Sequence, residues 1–434
     1  MTIVAFRPAV AVCEQVAFLW SSRGSLTRSS AVTFELLARF DNRVSDLLSR
    51  LGGDERLPEK LVAHEPRAFK AGFAFATAAV ASLTGASHLI DALAARIESD
   101  ASLLPAVASA LAWSAYTQIQ STLEYLLAAP SPERVELGLW AAASHRMHPG
   151  EAVVRALEGE TSRLRACALA VIGRLGLQDL RPSVVRALQD EDAACRFAAA
   201  WSAVRLGESA GIPVLGRFVS ESGRFAVPAC QIALRTLDVS RARRALERVH
   251  SAAGGSRQSV IGAGIVGDPT LADWLLDSMA SEELARRAAA AFSLITGCDL
   301  RRDDLDAANP PRKSLIEARR NDARPAEPAD VPAPDVFDGA FVDDESDDEL
   351  RWPDVVRLRR WWRGKRQGFR PGERYIAGTA VRDPALGDVL RSGNQAQRRA
   401  AALELALLNP QAPLFDVAAP AHHQLARLSG RRGA

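Results

Sequence analysis

An internal repeat with a period of 31 residues restricts the fold of this 434-residue chain more than any other feature. Four positions recur at that spacing: Arg165 and Arg196, Ala168 and Ala199, Leu175-Gly176 and Leu206-Gly207, and Pro182 and Pro213. A fixed period near 30 residues with helical spacing inside each unit is typical of a solenoid. One such unit cannot bury its apolar face alone, so the sequence predicts a stack of helical units.

Each unit is predicted to contain two helices. The first carries Ala and Leu at i, i+3 and i+4 and ends at Leu-Gly, where glycine adopts the left-handed cap conformation. Proline at an early position opens the second helix. Asp192 stands between two units, and its carboxylate is expected to cap the next helix N-terminus. Because strand patterns are poor throughout the chain, the fold class is expected to be all-α.

The limits of the repeat pattern divide the chain into four predicted segments. These are a helical N-terminal cap (1–58), the repeats (59–300), an acidic Pro-rich disordered linker (301–350) and a small C-terminal helical module (351–434). The linker composition cannot bury enough apolar surface to order itself. Its acidic run, 343–349, has two interpretations: a solvated spacer, or a mimic that shields a basic surface until a partner arrives.

Composition argues against several classes of function. The chain has 54 basic and 52 acidic side chains and a formal net charge of +2, which disfavours a dedicated nucleic-acid binder. Five scattered cysteines without a CxxC pair indicate free thiols in a reducing compartment. Two uncharged stretches, 71–90 and 101–123, are rich in small residues, so we expect buried helices and no membrane span. Without a convincing secretion signal, the expected location is cytoplasmic.

No motif predicts catalysis, a metal or a cofactor. The GxGxxG at Gly262–Gly267 follows no strand and runs into Asp268-Pro269, so we interpret it as a glycine-rich first helix. The pair His145 and His148 has no Cys or carboxylate cluster beside it, and a metal site there is disfavoured. His422-His423 is assigned to a loop without an obvious partner. The chain is therefore predicted not to be an enzyme.

Trp361 and Trp362 lie in a segment that interleaves Arg and Lys with aromatic residues. Their helical spacing with Val355 and Leu358 favours core packing as the first interpretation. A protein-binding anchor comes second, because Trp and Arg dominate binding hot spots. Single-stranded nucleic acid comes last, because the preceding acidic run cancels most of the positive charge.

The Arg-x-x-Ala-Ala-x-x-Leu-Gly cadence resembles the HEAT-like repeat first described in phycocyanobilin lyases. The resemblance covers roughly residues 60–300 and implies a HEAT-like α-solenoid. It carries little weight for lyase activity, because many proteins that are not enzymes share this repeat.

Sequences at both ends are similar to an uncharacterised bacterial family. They are Phe18–Arg23, Leu36–Arg43, Trp361-Trp362, Phe369–Tyr375 and Gln395–Ala406. Members of that family are often encoded near type VI secretion spike and effector genes. The resemblance implies an accessory role as an adaptor or chaperone, and it supplies no catalytic residues.

The favoured hypothesis is therefore a protein-binding scaffold whose partner is a secretion spike or effector. Candidate partner-binding residues on successive second helices, expected to line the concave face, are Arg155, Arg186, Gln189 and Arg217. Trp361 and Trp362 are candidate anchors. Two alternatives stay open: a lyase-type enzyme or cofactor handler on the same fold, and an immunity-type inhibitor of a toxin.

The predicted linker gives a first testable prediction. In limited digestion with a broad-specificity protease, the first cut is expected within residues 303–350, because unpacked backbone is cleaved fastest. Mass spectrometry of the fragments locates the cut. Primary cleavage inside 59–300 would contradict the division into segments.

Overall fold

The structure is a computed structural model that describes residues 3–52, 57–63, 70–221, 223–253, 257–308, 347–382 and 384–430. The first helices are α1 (Ile3–Arg28), α2 (Phe34–Leu51), α3 (Leu57–Val62), α4 (Lys70–Thr84), α5 (Ser87–Ser99), α6 (Leu104–Trp113), α7 (Tyr116–Ala128), α8 (Pro132–His145) and α9 (Glu151–Leu157). The next are α10 (Ser162–Leu175), α11 (Arg181–Arg186), α12 (Ala193–Arg205), α13 (Gly211–Ser220), α14 (Ala226–Arg235), α15 (Val239–Ala253), α16 (Arg257–Val266), α17 (Ala272–Ser278) and α18 (Ala285–Thr296). The last are α19 (Val355–Lys365), α20 (Ala385–Ser392), α21 (Gln395–Leu408) and α22 (Ala421–Gly430), and the strands β1 (Tyr375–Ile376) and β2 (Thr379–Ala380) form an antiparallel hairpin before α20.

Helix α1 and the helices from α4 to α18 form two layers. The first layer contains α1, α4, α6, α8, α10, α12, α14, α16 and α18, and each of them packs against the next in this series. Helices α5, α7, α9, α11, α13, α15 and α17 alternate with them along the chain and form the second layer. From α7 onwards, each second-layer helix packs on the first-layer helix that follows it. This two-layer stack is an all-α solenoid, which confirms the predicted fold class.

Small side chains let neighbouring first-layer helices approach closely. In α10, every residue from Ala166 to Gly173 is buried. A Cβ atom added at Gly173 would lie 2.3 Å from the Oγ of Ser202 in α12, so the glycine is required at this crossing. The same Oγ donates a hydrogen bond of 2.7 Å to the carbonyl of Leu169.

The uncharged stretch around α4 is likewise buried, and no described helix is long and apolar enough to cross a membrane.

The predicted helix ends are present in the structure. Glycines with positive φ, between 71° and 83°, follow the first-layer helices: Gly176, Gly207, Gly267 and Gly297. The Asp192 carboxylate accepts hydrogen bonds from the backbone N–H groups of Ala194 and Cys195, as expected for an N-cap.

The recurring Arg165 and Arg196 perform one function in two units. Arg165 donates to the carbonyls of Gly159 and Glu160. Arg196 donates to the carbonyls of Asp190 and Glu191, which stand 31 residues further along. The arginine thus stabilises the turn between units by pairing its exposed carbonyl groups.

Residues 351–430, which we call the C-terminal strap, pack along the solenoid. Asn394 forms a β-bridge with Thr33 near the beginning of the chain, and the part from Glu404 to Asp416 passes the first-layer helices α14, α12 and α10 in this order. The β1 strand hydrogen bonds to the Gly267 carbonyl through the Tyr375 N–H, and the Leu414 N–H reaches the Arg174 carbonyl. Helix α22 then packs on α2, where the Ala421 N–H donates to the Asp41 carboxylate. The described part of this segment contains the helices α19 to α22 and the short hairpin, and it contacts the solenoid at several points along its length.

The two ends of the predicted linker are packed in the structure. Leu305 and Leu350 are buried, and Asp306 forms a β-bridge with Pro353. The remainder of that linker, 309–346, lies outside the described residues.

A row of arginines fastens the strap to the solenoid. Arg174, Arg205 and Arg235 stand near the ends of α10, α12 and α14 at intervals of 31 and 30 residues, and we call them the cap arginines. Arg174 pairs with Asp416 at 3.0 Å and Arg235 with Glu404 at 3.5 Å.

Arg205 differs from the other cap arginines in its partners. It is fully buried and donates to the carbonyls of Ala406 and Ala412. Burial lowers the pKa of its guanidinium to about 10, so the group stays charged at neutral pH. The strap carbonyls are thus the hydrogen-bond acceptors that this buried charge requires.

We predict that Arg205→Ala lowers the free energy of unfolding by about 3–5 kcal/mol, because it leaves a cavity and removes the donor from two strap carbonyls. Chemical denaturation followed by circular dichroism measures the effect. The matched control is Arg241→Ala on α15, whose exposed side chain should cost less than about 0.5 kcal/mol. Equal stability of the two variants would refute the role given to the strap.

Candidate functional site

The predicted partner-binding arginines lie on successive helices of the second layer. Arg155 is on α9, Arg186 on α11 and Arg217 on α13, and all three side chains are exposed. Arg155 donates to the Leu127 carbonyl at 2.8 Å, and Arg186 donates to the Ser183 Oγ at 2.9 Å. The repeat therefore places these guanidinium groups at related positions in neighbouring units.

Gln189 ends the short 3-10 turn that follows α11, and it is also exposed. It stands one residue before Asp190, which pairs with Arg165. Gln189 therefore lies at the edge of the predicted surface, next to the turn between two units.

The exposed side of α9, α11, α13 and α15, which we call the second-layer face, is basic. Its helices carry eight arginines: Arg155, Arg181, Arg186, Arg217, Arg241, Arg243, Arg244 and Arg248. The acidic residues in the same four helices are Glu151 and Glu247. Such an imbalance on one face favours an acidic partner and accelerates its association.

The two tryptophans of α19 have different environments. Trp362 is 4% exposed, its Nε1 donates to the Asp273 carboxylate at 3.1 Å, and its ring meets Phe292 edge-on at 5.7 Å. Trp361 is partly buried and approaches the same phenylalanine at 6.1 Å. The assignment of Trp362 to a partner-binding surface does not fit its position, because a side chain this buried offers no area to a partner.

The glycine motif at Gly262–Gly267 lies inside and just after α16, with no strand before it in the described residues. A Cβ atom at Gly262 would lie 2.7 Å from the Leu246 Cδ1, and one at Gly264 would lie 3.1 Å from Ala291. These glycines serve close helix packing, and the motif lacks the strand–turn–helix setting of a phosphate-binding loop.

His422 and His423 are not in a loop, because they belong to the first turn of α22. The prediction missed this helix since Pro420 and the preceding segment contain turn residues. The rings of His423 and of His145 in α8 meet edge-on, with their centroids 5.4 Å apart. The centroids of His422 and of Trp113 in α6 are 6.2 Å apart. These contacts dock the strap on the first layer.

The histidines at this contact are held in their neutral form. Burial, together with the charges of His422, His145 and Arg427, lowers the pKa of His423 to about 4. Burial also lowers the pKa of His145. His148 lies apart, 3.7 Å from Asp179. Within the described ranges, no group of three His, Cys, Asp or Glu side chains is arranged to hold a metal ion.

None of the five cysteines forms a disulfide, and all five are buried. Burial raises the pKa of Cys13, Cys195, Cys230 and Cys298 to about 12, so these thiols stay protonated at neutral pH. A protonated, inaccessible thiol is a poor nucleophile.

Sequence reasoning missed a cavity of about 240 Å³ between the first layer and the strap. It is bounded by α14, α16, α18 and α21 and by the segments at 299–301 and 349–351. The arginines that line it are Arg235, Arg286, Arg287, Arg301, Arg351 and Arg399. No single sequence motif predicts this cavity. Its walls come from segments far apart in the sequence, which meet only because the strap packs on the first layer.

Comparison with known proteins agrees with this architecture. The family model of HEAT repeats matches residues 150–235, the part of the chain that contains α9 to α14. No curated protein sequence matches the chain. The solenoid is therefore of the HEAT-like kind, and proteins with such repeats are generally non-catalytic scaffolds that commonly mediate protein interactions.

The environment of Trp362 yields a prediction. Trp362→Ala should lower the free energy of unfolding by about 3–5 kcal/mol, because it empties a core position and removes the hydrogen bond to Asp273. Trp361→Ala is the matched control, and its partly exposed ring should make the loss clearly smaller. Thermal unfolding of both variants provides the measurement, and a larger loss for Trp361→Ala would overturn this placement.

Proposed function

We propose that the chain is a scaffold that holds an acidic protein partner on its second-layer face. The observation that carries the proposal is the recurrence of exposed guanidinium groups at Arg155, Arg186 and Arg217 on successive helices. A solenoid that presents the same group at regular intervals is suited to an elongated partner, which it binds through many modest contacts. Arginine supports this use, because its planar fork matches a carboxylate.

We further propose that the partner is a type VI secretion spike or effector and that the chain acts as an adaptor or chaperone in the cytoplasm. This part of the proposal has the sequence resemblance at both chain ends as its support. The match to HEAT repeats supports the broader role of binding proteins. Since the four thiols with raised pKa are protonated, a covalent cofactor transfer through them is disfavoured.

A cofactor handler is the second candidate, favoured by the arginine-lined cavity between the first layer and the strap. An immunity-type inhibitor would employ the same second-layer face as the scaffold. The inhibitor and the scaffold differ in their effect on the partner. An inhibitor suppresses the activity of a toxin, whereas an adaptor leaves the bound protein active.

We predict that Arg186→Glu combined with Arg217→Glu abolishes most capture of the partner while the melting temperature changes little. The reason is that both side chains are exposed, so reversing them alters the charge of the face and not the packing. Affinity purification from the native bacterium with quantitative mass spectrometry compares the variant with the wild type.

The matched control is Arg43→Glu with Arg50→Glu on α2, an equal charge change away from the second-layer face. It should retain capture of the partner. If the wild type captures no secretion component, or if both double variants lose it equally, the proposed function is wrong.

A further inference from the structure

Two consecutive carboxylates of the chain are seated on three arginines of the first layer. Arg257 holds Asp347 with Nε at 2.9 Å from one oxygen and Nη2 at 3.0 Å from the other. The Nε of Arg287 donates to the same carboxylate at 2.7 Å. Arg286 donates to the Asp348 carboxylate at 2.9 Å and to the Asp347 carbonyl at 3.1 Å. We call Arg257, Arg286 and Arg287 the arginine triad.

The location of the triad suits anionic groups. Arg257 begins α16, and Arg286 and Arg287 lie in the first turn of α18, the next helix of the same layer. Helix N-termini carry partial positive charge, which adds to the attraction of the guanidinium groups for a carboxylate. Two adjacent helices thus present their positive ends and three cations to one short acidic segment.

The arginine-lined cavity adjoins the triad, because Arg286 and Arg287 belong to its wall. Leu350 follows the two carboxylates, is 8% exposed, and forms part of the wall of the 240 Å³ cavity. Ile265 of α16 and Leu294 of α18 line the same cavity. The bound segment Asp347-Asp348-Glu349-Leu350 therefore combines two anionic contacts with one buried apolar side chain, which is the pattern of a peptide in a recognition site.

The contacts of this segment are partly open to solvent. The side chain of Arg257 is 46% exposed and that of Asp347 is 28% exposed. Burial raises the pKa of the Asp347 carboxyl, but hydrogen bonds from Arg257 and the charge of Arg287 outweigh it, and the pKa is lower than usual. The carboxylate is thus ionised at neutral pH. The side chains of Arg286 and Arg287 are only 13% and 12% exposed, so a segment that replaces Asp347 and Asp348 must offer carboxylates of its own to these two cations.

Replacement requires only residues 347–350, which precede the strap, to leave. The Ala307 N–H donates to the Trp352 carbonyl, and the Asp354 N–H donates to the Leu305 carbonyl. These bonds hold the chain just after Leu350, so residues 347–350 are able to leave the triad while the strap stays in place.

We propose that the arginine triad with the adjoining cavity is a recognition site for an acidic peptide segment of a partner protein, in which two neighbouring carboxylates precede a large apolar side chain. Asp347–Leu350 occupies this site as an internal competitor. The site goes beyond the second-layer face of the proposed function, since it uses other arginines on the other layer.

The test measures binding of a fluorescein-labelled peptide with the sequence of residues 345–352 to the full chain by fluorescence anisotropy. Asp347→Asn with Asp348→Asn weakens the internal competitor and should tighten peptide binding about tenfold. Adding Arg286→Gln and Arg287→Gln to that variant should abolish the gain. A peptide in which both aspartates are asparagine, and another in which the leucine is serine, should each bind at least tenfold more weakly.

The control for charge alone is Arg43→Gln with Arg50→Gln in the same background, which should leave the gain intact. Circular dichroism establishes that each variant is folded. If the double substitution on α18 unfolds the chain, Arg257→Gln, at an exposed position, replaces it as the variant that weakens the triad. The proposal is overturned if the peptide binds equally with and without the triad, or if neutralising Asp347 and Asp348 brings no gain. Because Arg186 and Arg217 are unchanged throughout, this outcome is separate from failure of the scaffold proposal.

Discussion

The attachment of the strap to the cap arginines is the interaction on which the rest of the structure depends. A buried guanidinium must have acceptors, since leaving a charge without partners in the interior costs several kcal/mol. The hydrogen-bond acceptors of the Arg205 guanidinium come from the strap. The strap supplies them in reverse order, with Asp416 on Arg174, Ala412 and Ala406 on Arg205, and Glu404 on Arg235.

This attachment decides which surfaces remain for binding. The strap covers the glycine-capped ends of the first-layer helices, where Gly176 and Gly297 lie so close to strap carbonyls that a Cβ atom would clash at 2.9 Å and 2.5 Å. The second-layer face stays open and basic, and it supports the proposed scaffold role. The strap also creates the cavity next to the arginine triad, so the two candidate binding regions lie on different layers.

Local patterns in the sequence were sufficient for the repeats. Leu-Gly at a fixed period predicted the caps at Gly176 and Gly207, and Asp192 was recognised as an N-cap, because these signals act within a few residues. The recurrence of Arg174 and Arg205 at the same period was also present in the sequence. It could have indicated a shared partner along one edge of the solenoid, but nothing local identifies that partner, because it stands about 200 residues further along the chain.

The sequence by itself determined the all-α solenoid, its period, its caps and the exposed arginines of the second layer, because each follows from helix periodicity and turn chemistry. Only the tertiary structure decided that residues 351–430 pack along the solenoid, that His423 meets His145, and that Asp347 meets Arg257 and Arg287. The physical reason is that these contacts join segments far apart in sequence. Which residues meet depends on burial and hydrogen bonding in the folded chain, and a periodic sequence pattern does not contain this information.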